Sequence, residues 1–118
     1  MNAVLDKPYL DVPIAPLAKC VADGHMIVEL VATAYRIEAQ TVVFGGREKL
    51  VMEARKVAYW LLRTVAKRSW GEVASTLSKD HSTAISGVRG CESKRANDPA
   101  FREFTDQLAI VVAQRIQG

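Results

Sequence analysis

The stretch Ser69–Arg95, SWGEVASTLSKDHSTAISGVRGCESKR, decides the fold. It opens on a helix start. Ser69 followed three residues later by Glu72 has the pattern of a capping box, in which the serine hydroxyl accepts from the Glu72 amide and the Glu72 carboxylate accepts from the Ser69 amide. Val73, Ala74 and Leu77 then recur at helical spacing and give this short helix its buried side. Asp80 is a second start signal, an N-cap ahead of a helix whose inward face would carry Ala84, Ile85, Val88 and Cys91. Between the helices Ser69–Leu77 and Asp80–Arg95 stand only Ser78 and Lys79. So short a link makes two helices cross steeply instead of running back antiparallel, which is the helix-turn-helix geometry.

In that geometry the leading residues of the second helix face base edges in the major groove of a duplex. Here they are Asp80, His81, Ser82 and Thr83, with Ser86 and Gly87 one turn later. A carboxylate can accept from cytosine N4, hydroxyls can donate or accept, and a threonine methyl can pack on a thymine methyl. Gly87 would let a phosphate or base edge approach closely. Asp80 serves equally well as a plain helix cap, and both roles stay open for it.

Working upstream, Val51, Ala54, Ala58, Leu61, Leu62 and Val65 lie on one stripe of a helix about 20 residues long starting near Arg47, with Arg55, Lys56, Arg63 and Lys67 largely off it. Gly45-Gly46 marks a break before that helix. Ile37–Phe44 is short and β-branched, consistent with either one helical turn or an extended connection. Ile27, Leu30, Val31 and Ala34 have helical spacing within His25–Tyr35, and a separate helix is expected over Ala15–Asp23, stopped by Gly24. Residues 1–14, with Pro8 and Pro13, read as an extended arm ahead of a domain at 15–118. Downstream, Asp98-Pro99 starts a last helix expected to bury Phe101, Phe104, Leu108, Ile110, Val111 and Ile116. The fold class is all-α, an orthogonal helical bundle containing a helix-turn-helix.

Charge is unevenly spread. Residues 45–97 hold eleven lysines and arginines against five carboxylates, whereas both flanks are mildly acidic. A basic middle suits a protein that presents one face to a polyanion. Other functions find little support. The chain of 118 residues allows one domain. No apolar run approaches the roughly 18–20 residues of a membrane span, no helix pairs a broad apolar face with a lysine-rich one, and Met1–Leu10 has no secretory pattern. Cys20 and Cys91 match neither a disulfide framework nor a metal motif. The two histidines, His25 and His81, have no paired ligand or nucleophile at working spacing. No enzyme activity, cofactor, metal or small-molecule substrate is expected, and the cytoplasm, on the bacterial nucleoid, is the expected location.

Asp80-His81-Ser82-Thr83-Ala84-Ile85, followed by Val88-Arg89, resembles the signature of the C-terminal DNA-binding domain of the bacterial replication initiator DnaA. The resemblance runs back through Ser69-Trp70-Gly71-Glu72-Val73-Ala74 and Ala54-Arg55-Lys56-Val57-Ala58-Tyr59 to Ile27, Val31 and Tyr35-Arg36-Ile37, covering roughly residues 25–116. It implies sequence-specific binding, by one copy of the domain, to a duplex site like a DnaA box, in replication initiation or its regulation. Asp80, His81, Ser82 and Thr83 match the major-groove readers, and Arg47 matches the basic-loop arginine that enters the adjacent minor groove, where a guanidinium suits the narrow, electronegative channel. Arg55, Lys56, Arg63 and Arg89 match positions at or near phosphates, and Lys79 and Ser86 are placed there with them. Double-stranded DNA is the implied partner, with replication initiator proteins as further candidates.

The departures bear on the target site. The family's turn usually has Gly-Gly-Arg before the aspartate, one residue more than Ser78-Lys79. Proline commonly stands where this chain has Gly71, a basic residue where it has Gly90, and a larger residue in some relatives where it has Ser86. The chain has no Gly-x-x-x-x-Gly-Lys-Ser/Thr loop to hold a triphosphate, so nucleotide-driven assembly is not expected of it. Met1 and the arm favour a free-standing relative over an excised domain. The competing function is a protein-interaction module or transcriptional regulator on the same fold, for which Tyr59, Trp60 and Trp70 could serve as anchors.

Overall fold

A computed structural model describes the backbone of residues 15–117 and the side chains of residues 23–117. The arm at 1–14 lies outside the described residues, which form helices and connecting turns with no strand among them. The helices are α1 (Ala15–Tyr35), α2 (Ala39–Phe44), α3 (Lys49–Trp60), α4 (Trp70–Thr76), α5 (His81–Asn97) and α6 (Pro99–Gln117). A π-helical turn, Leu61–Val65, prolongs α3. Over residues 15–117 the all-α bundle expected from the sequence is therefore the fold observed.

Helix α1 does not stop at Gly24. A mid-helix glycine costs about 1 kcal/mol relative to alanine, but this one is buried, and a Cβ on it would lie 3.3 Å from the Thr76 side chain. The missing side chain lets α1 cross close to α4. Just before Gly24 the buried Asp23 carboxylate accepts from Arg68, tying α1 to the segment between the π turn and α4. Residues 37–44, left open by the sequence, contain a short helix with Val42 buried.

Helix α3 and the π turn form the centre of the core: Val51, Ala54, Val57, Ala58, Tyr59, Trp60, Leu61 and Leu62 are all buried. Tyr59 and Trp60 are thus packing residues, which removes two of the three aromatics that a protein-docking surface would need. Helix α5 packs chiefly on α3. Its Gly87 lines the groove between α3 and α5 and also packs on the core: a Cβ there would lie 2.3 Å from Cδ2 of Tyr59. The backbone of α5 rests directly on the tyrosine ring.

Helix α6 buries Phe101, Thr105, Leu108 and Val112. Ile110, expected inside, is 57% exposed. It lies nine residues from Phe101, half a turn round the helix. Thr105 takes an inward place because its hydroxyl donates to Phe101 O at 2.9 Å and accepts from Arg95 Nη1 at 2.6 Å.

The turn between α4 and α5 is a Schellman motif. Lys79 N donates to Ala74 O at 2.9 Å, Ser78 N donates to Ser75 O at 3.1 Å, and Ser78 has φ 56°, the left-handed conformation usually given to glycine. This is how the two-residue link Ser78-Lys79 closes without a glycine. Ser78→Gly is expected to stabilise the protein by about 0.5–1 kcal/mol by removing that strain. Urea unfolding measures it, and a loss of stability would show that the serine is not strained there.

Candidate nucleic-acid interface

The capping chemistry of the helix-turn-helix is present in full. Ser69 Oγ accepts from Glu72 N at 3.2 Å and Glu72 Oε1 accepts from Ser69 N at 2.9 Å. Val73, Ala74 and Leu77 then pin α4 to the core. Asp80 caps α5, its Oδ1 accepting from Thr83 N at 2.8 Å and from the Ser82 hydroxyl at 3.1 Å. Hydrogen bonds from Thr83, then Ser82, hold the Asp80 carboxyl below the usual carboxylate range. Asp80, His81, Ser82 and Thr83 are all exposed. The inward residues Ala84, Gly87, Val88 and Cys91 hold the rest of α5 down, so its leading polar groups project from a fixed rod. Ile85 is half-buried, not fully inward. The His81 ring lies over Gly71, where a Cβ would sit 3.4 Å from Nε2, an ordinary van der Waals contact.

Grooves flank α5 on both sides. One, of about 300 Å³, runs between α3 and α5 and is lined by Arg55 and Lys56 on one wall and Ser82, Thr83 and Ser86 on the other. The second, of about 460 Å³, is lined by Arg63, Trp70 and Arg89 among others. The Arg63 guanidinium lies 4.3 Å over the Trp70 ring and donates to Arg68 O at 3.0 Å, so its position is set by stacking as well as by charge. Trp70 is half-buried beneath it. Lys79, Ser86 and Arg89 are exposed, and the Lys56 stem passes beside Gly90, where a Cβ would sit 3.3 Å from its Cδ. Arg47 is exposed on the loop after Gly45-Gly46. Arg55 is half-buried, with Nε donating to Val42 O at 2.8 Å and Nη2 to Gly45 O at 2.9 Å.

Other cations of the basic middle are turned to structural use. Arg95 stacks 4.4 Å over Trp60 and pairs with Asp106 at 2.7 Å. Lys94 pairs with Glu53 and lies 4.8 Å over Phe101. Burial opposes ionisation of Glu53, but hydrogen bonds from Lys94 and Tyr35 outweigh it and hold the carboxyl below its ordinary value. The Cys91 thiol is pushed up to about 12, chiefly by burial, which leaves it a protonated core group at neutral pH. Among the described residues no cluster of histidine, cysteine and carboxylates could hold a metal, and no helix is long and apolar enough to cross a membrane.

An exposed polar string at the head of a propped helix, between two basic grooves, is the arrangement the family resemblance requires. A profile of that family, described as "Bacterial dnaA protein helix-turn-helix", matches residues 25–90. The chain belongs to the bacterial DnaA helix-turn-helix family. The chromosomal replication initiator protein DnaA of Aquifex aeolicus (strain VF5) is 36% identical over 83 residues, spanning 70% of this chain and 21% of that protein. The DnaA of Neisseria meningitidis serogroup C (strain FAM18) is 25% identical over 117 residues, spanning 92% and 23%. In three dimensions the chain is similar to the crystal structure of a DNA replication initiation factor, with a TM-score of 0.78 and 29% identity over 86% of this chain and 32% of that one. The chain therefore spans only about a fifth of the length of the DnaA proteins it matches.

Proposed function

We propose that this DnaA-family domain binds double-stranded DNA in a sequence-specific manner, at a site resembling a DnaA box, in replication initiation or its regulation. The observation that carries the reading is the exposure of Asp80, His81, Ser82 and Thr83 together at the first turn of α5, on a chain of the DnaA helix-turn-helix family. These four are the proposed major-groove readers, with Arg47 entering the neighbouring minor groove. Lys56, Arg63, Lys79, Ser86 and Arg89 flank α5 and are the proposed phosphate contacts, which orient the helix without reading sequence.

Selection from random duplexes, followed by anisotropy titration of the winner against a DnaA box, tests the reading. A consistent short motif supports it; indifference to duplex in dilute buffer overturns it. Neutralising about four or five phosphates should give a log–log salt slope of roughly −4. Arg63→Ala should weaken cognate and scrambled duplex alike and flatten that slope by about one unit. A loss confined to the cognate site would remove Arg63 from the phosphate contacts.

A further inference from the structure

Arg55 sits on α3 between the two surfaces that the duplex reading uses. On one side its guanidinium bonds Val42 O at 2.8 Å and Gly45 O at 2.9 Å; on the other it lines the groove whose far wall is Ser82, Thr83 and Ser86. The carbonyls at the end of α2 have no further helical turn to pair with, and a basic side chain is a fitting partner for them. The planar fork of an arginine can donate to both carbonyls at once, whereas a lysine ammonium is a single point charge. Gly45 O lies two residues before Arg47, so this fork sets the path by which the chain leaves α2 toward that residue.

We propose that Arg55 is a positioning residue: it fixes the Gly45–Arg47 loop against α5, so that one duplex can meet the loop and the helix in adjacent grooves, and it does not act as a phosphate ligand. The proposal rests on the duplex-binding reading above. Its test combines amide hydrogen exchange with duplex binding, on the full chain, for Arg55→Lys, Arg55→Ala, Arg47→Ala and the double variant Arg47→Ala with Arg55→Ala. Both Arg55 variants should speed exchange at the end of α2, at Phe44 and at Gly45, whose amide donates to Thr41 O at 2.8 Å, by about tenfold or more while amides in the middle of α3 and α5 stay as protected as before. Lysine keeps the charge and would serve a phosphate, yet should fail to restore the loop. Arg55→Ala and Arg47→Ala should each cost roughly tenfold in affinity for the cognate duplex, and the double variant should bind no worse than Arg47→Ala alone. Unchanged loop exchange, rescue by lysine, or additive losses with a salt slope flattened by a further unit would overturn the role of Arg55. A wild-type chain that ignores duplex would instead overturn the reading beneath it, and the exchange data would still decide whether Arg55 holds the loop.

Discussion

Alanine at Gly87 is expected to destabilise the protein by about 2–3 kcal/mol, lowering Tm by roughly 10 °C or more. The added Cβ would lie 2.3 Å from Cδ2, 2.9 Å from Cε2 and 3.3 Å from Cγ of Tyr59. Those are ring atoms of a side chain that is 2% exposed, so nothing at the contact can swing into solvent. Either the ring leaves its place or α5 lifts away from α3, and both disturb the largest helix contact in the fold. The cost should therefore depend on the ring. In Gly87→Ala combined with Tyr59→Met, an unbranched chain can bend round the new methyl, and the double variant should lose at least about 1 kcal/mol less than the two single losses added together. Denaturant unfolding of the four proteins closes the cycle. A cost below about 0.5 kcal/mol for Gly87→Ala, or strict additivity, would mean that α5 and Tyr59 are not in contact as described.

The same glycine shows where reading a sequence stops. Locally, Gly87 one turn into a recognition helix is equally good for admitting DNA and for admitting a neighbouring ring. The ring it admits is that of Tyr59, 28 residues earlier, and nothing in the intervening sequence announces that pairing. Gly24 poses the same problem, since glycine ends a helix or lets two helices touch according to what lies opposite, here Thr76. By contrast, the caps at Ser69, Asp80 and Asp98 were legible because each closes on an amide three residues away. Their partners are dictated by chain geometry.

Hydrophobicity and charge were legible only in bulk. The exposed Ile110 and the buried Thr105 reverse their apparent polarity because the threonine has both a carbonyl and Arg95 within reach and the isoleucine faces away from the core. The excess of cations in residues 45–97 points to a basic face, but composition does not separate cations held by partners elsewhere in the fold from those displayed beside α5. Arg68 goes to Asp23, Lys94 to Glu53, and Arg95 to Trp60 and Asp106. Each partner belongs to another part of the chain, so only the folded arrangement separates these from Lys79 and Arg89, which stay exposed beside α5.

Asparagine at Asp80 should leave α5 intact and change the base that it prefers. As a helix cap the two residues are nearly equal, because the side-chain oxygen that accepts from Thr83 N at 2.8 Å survives the exchange. What disappears is the negative charge and the second acceptor oxygen. A carboxylate reads cytosine by accepting from N4, whereas a carboxamide pairs bidentately with adenine N6 and N7. Asp80→Asn should therefore shift preference from cytosine toward adenine at one position of the selected site by about 1–3 kcal/mol, with folding stability moved by less than about 0.5 kcal/mol. Asp80→Ala cannot separate the two roles, because it also removes the cap, at a cost of about 1 kcal/mol. Anisotropy titrations against duplexes carrying each base pair at each position, run beside urea unfolding, distinguish the outcomes. If Asp80→Asn binds every duplex as the parent does, Asp80 is a cap and nothing more, and recognition must pass to His81, Ser82 and Thr83. If instead one column of the binding table changes while the unfolding curve does not, the carboxylate touches a base.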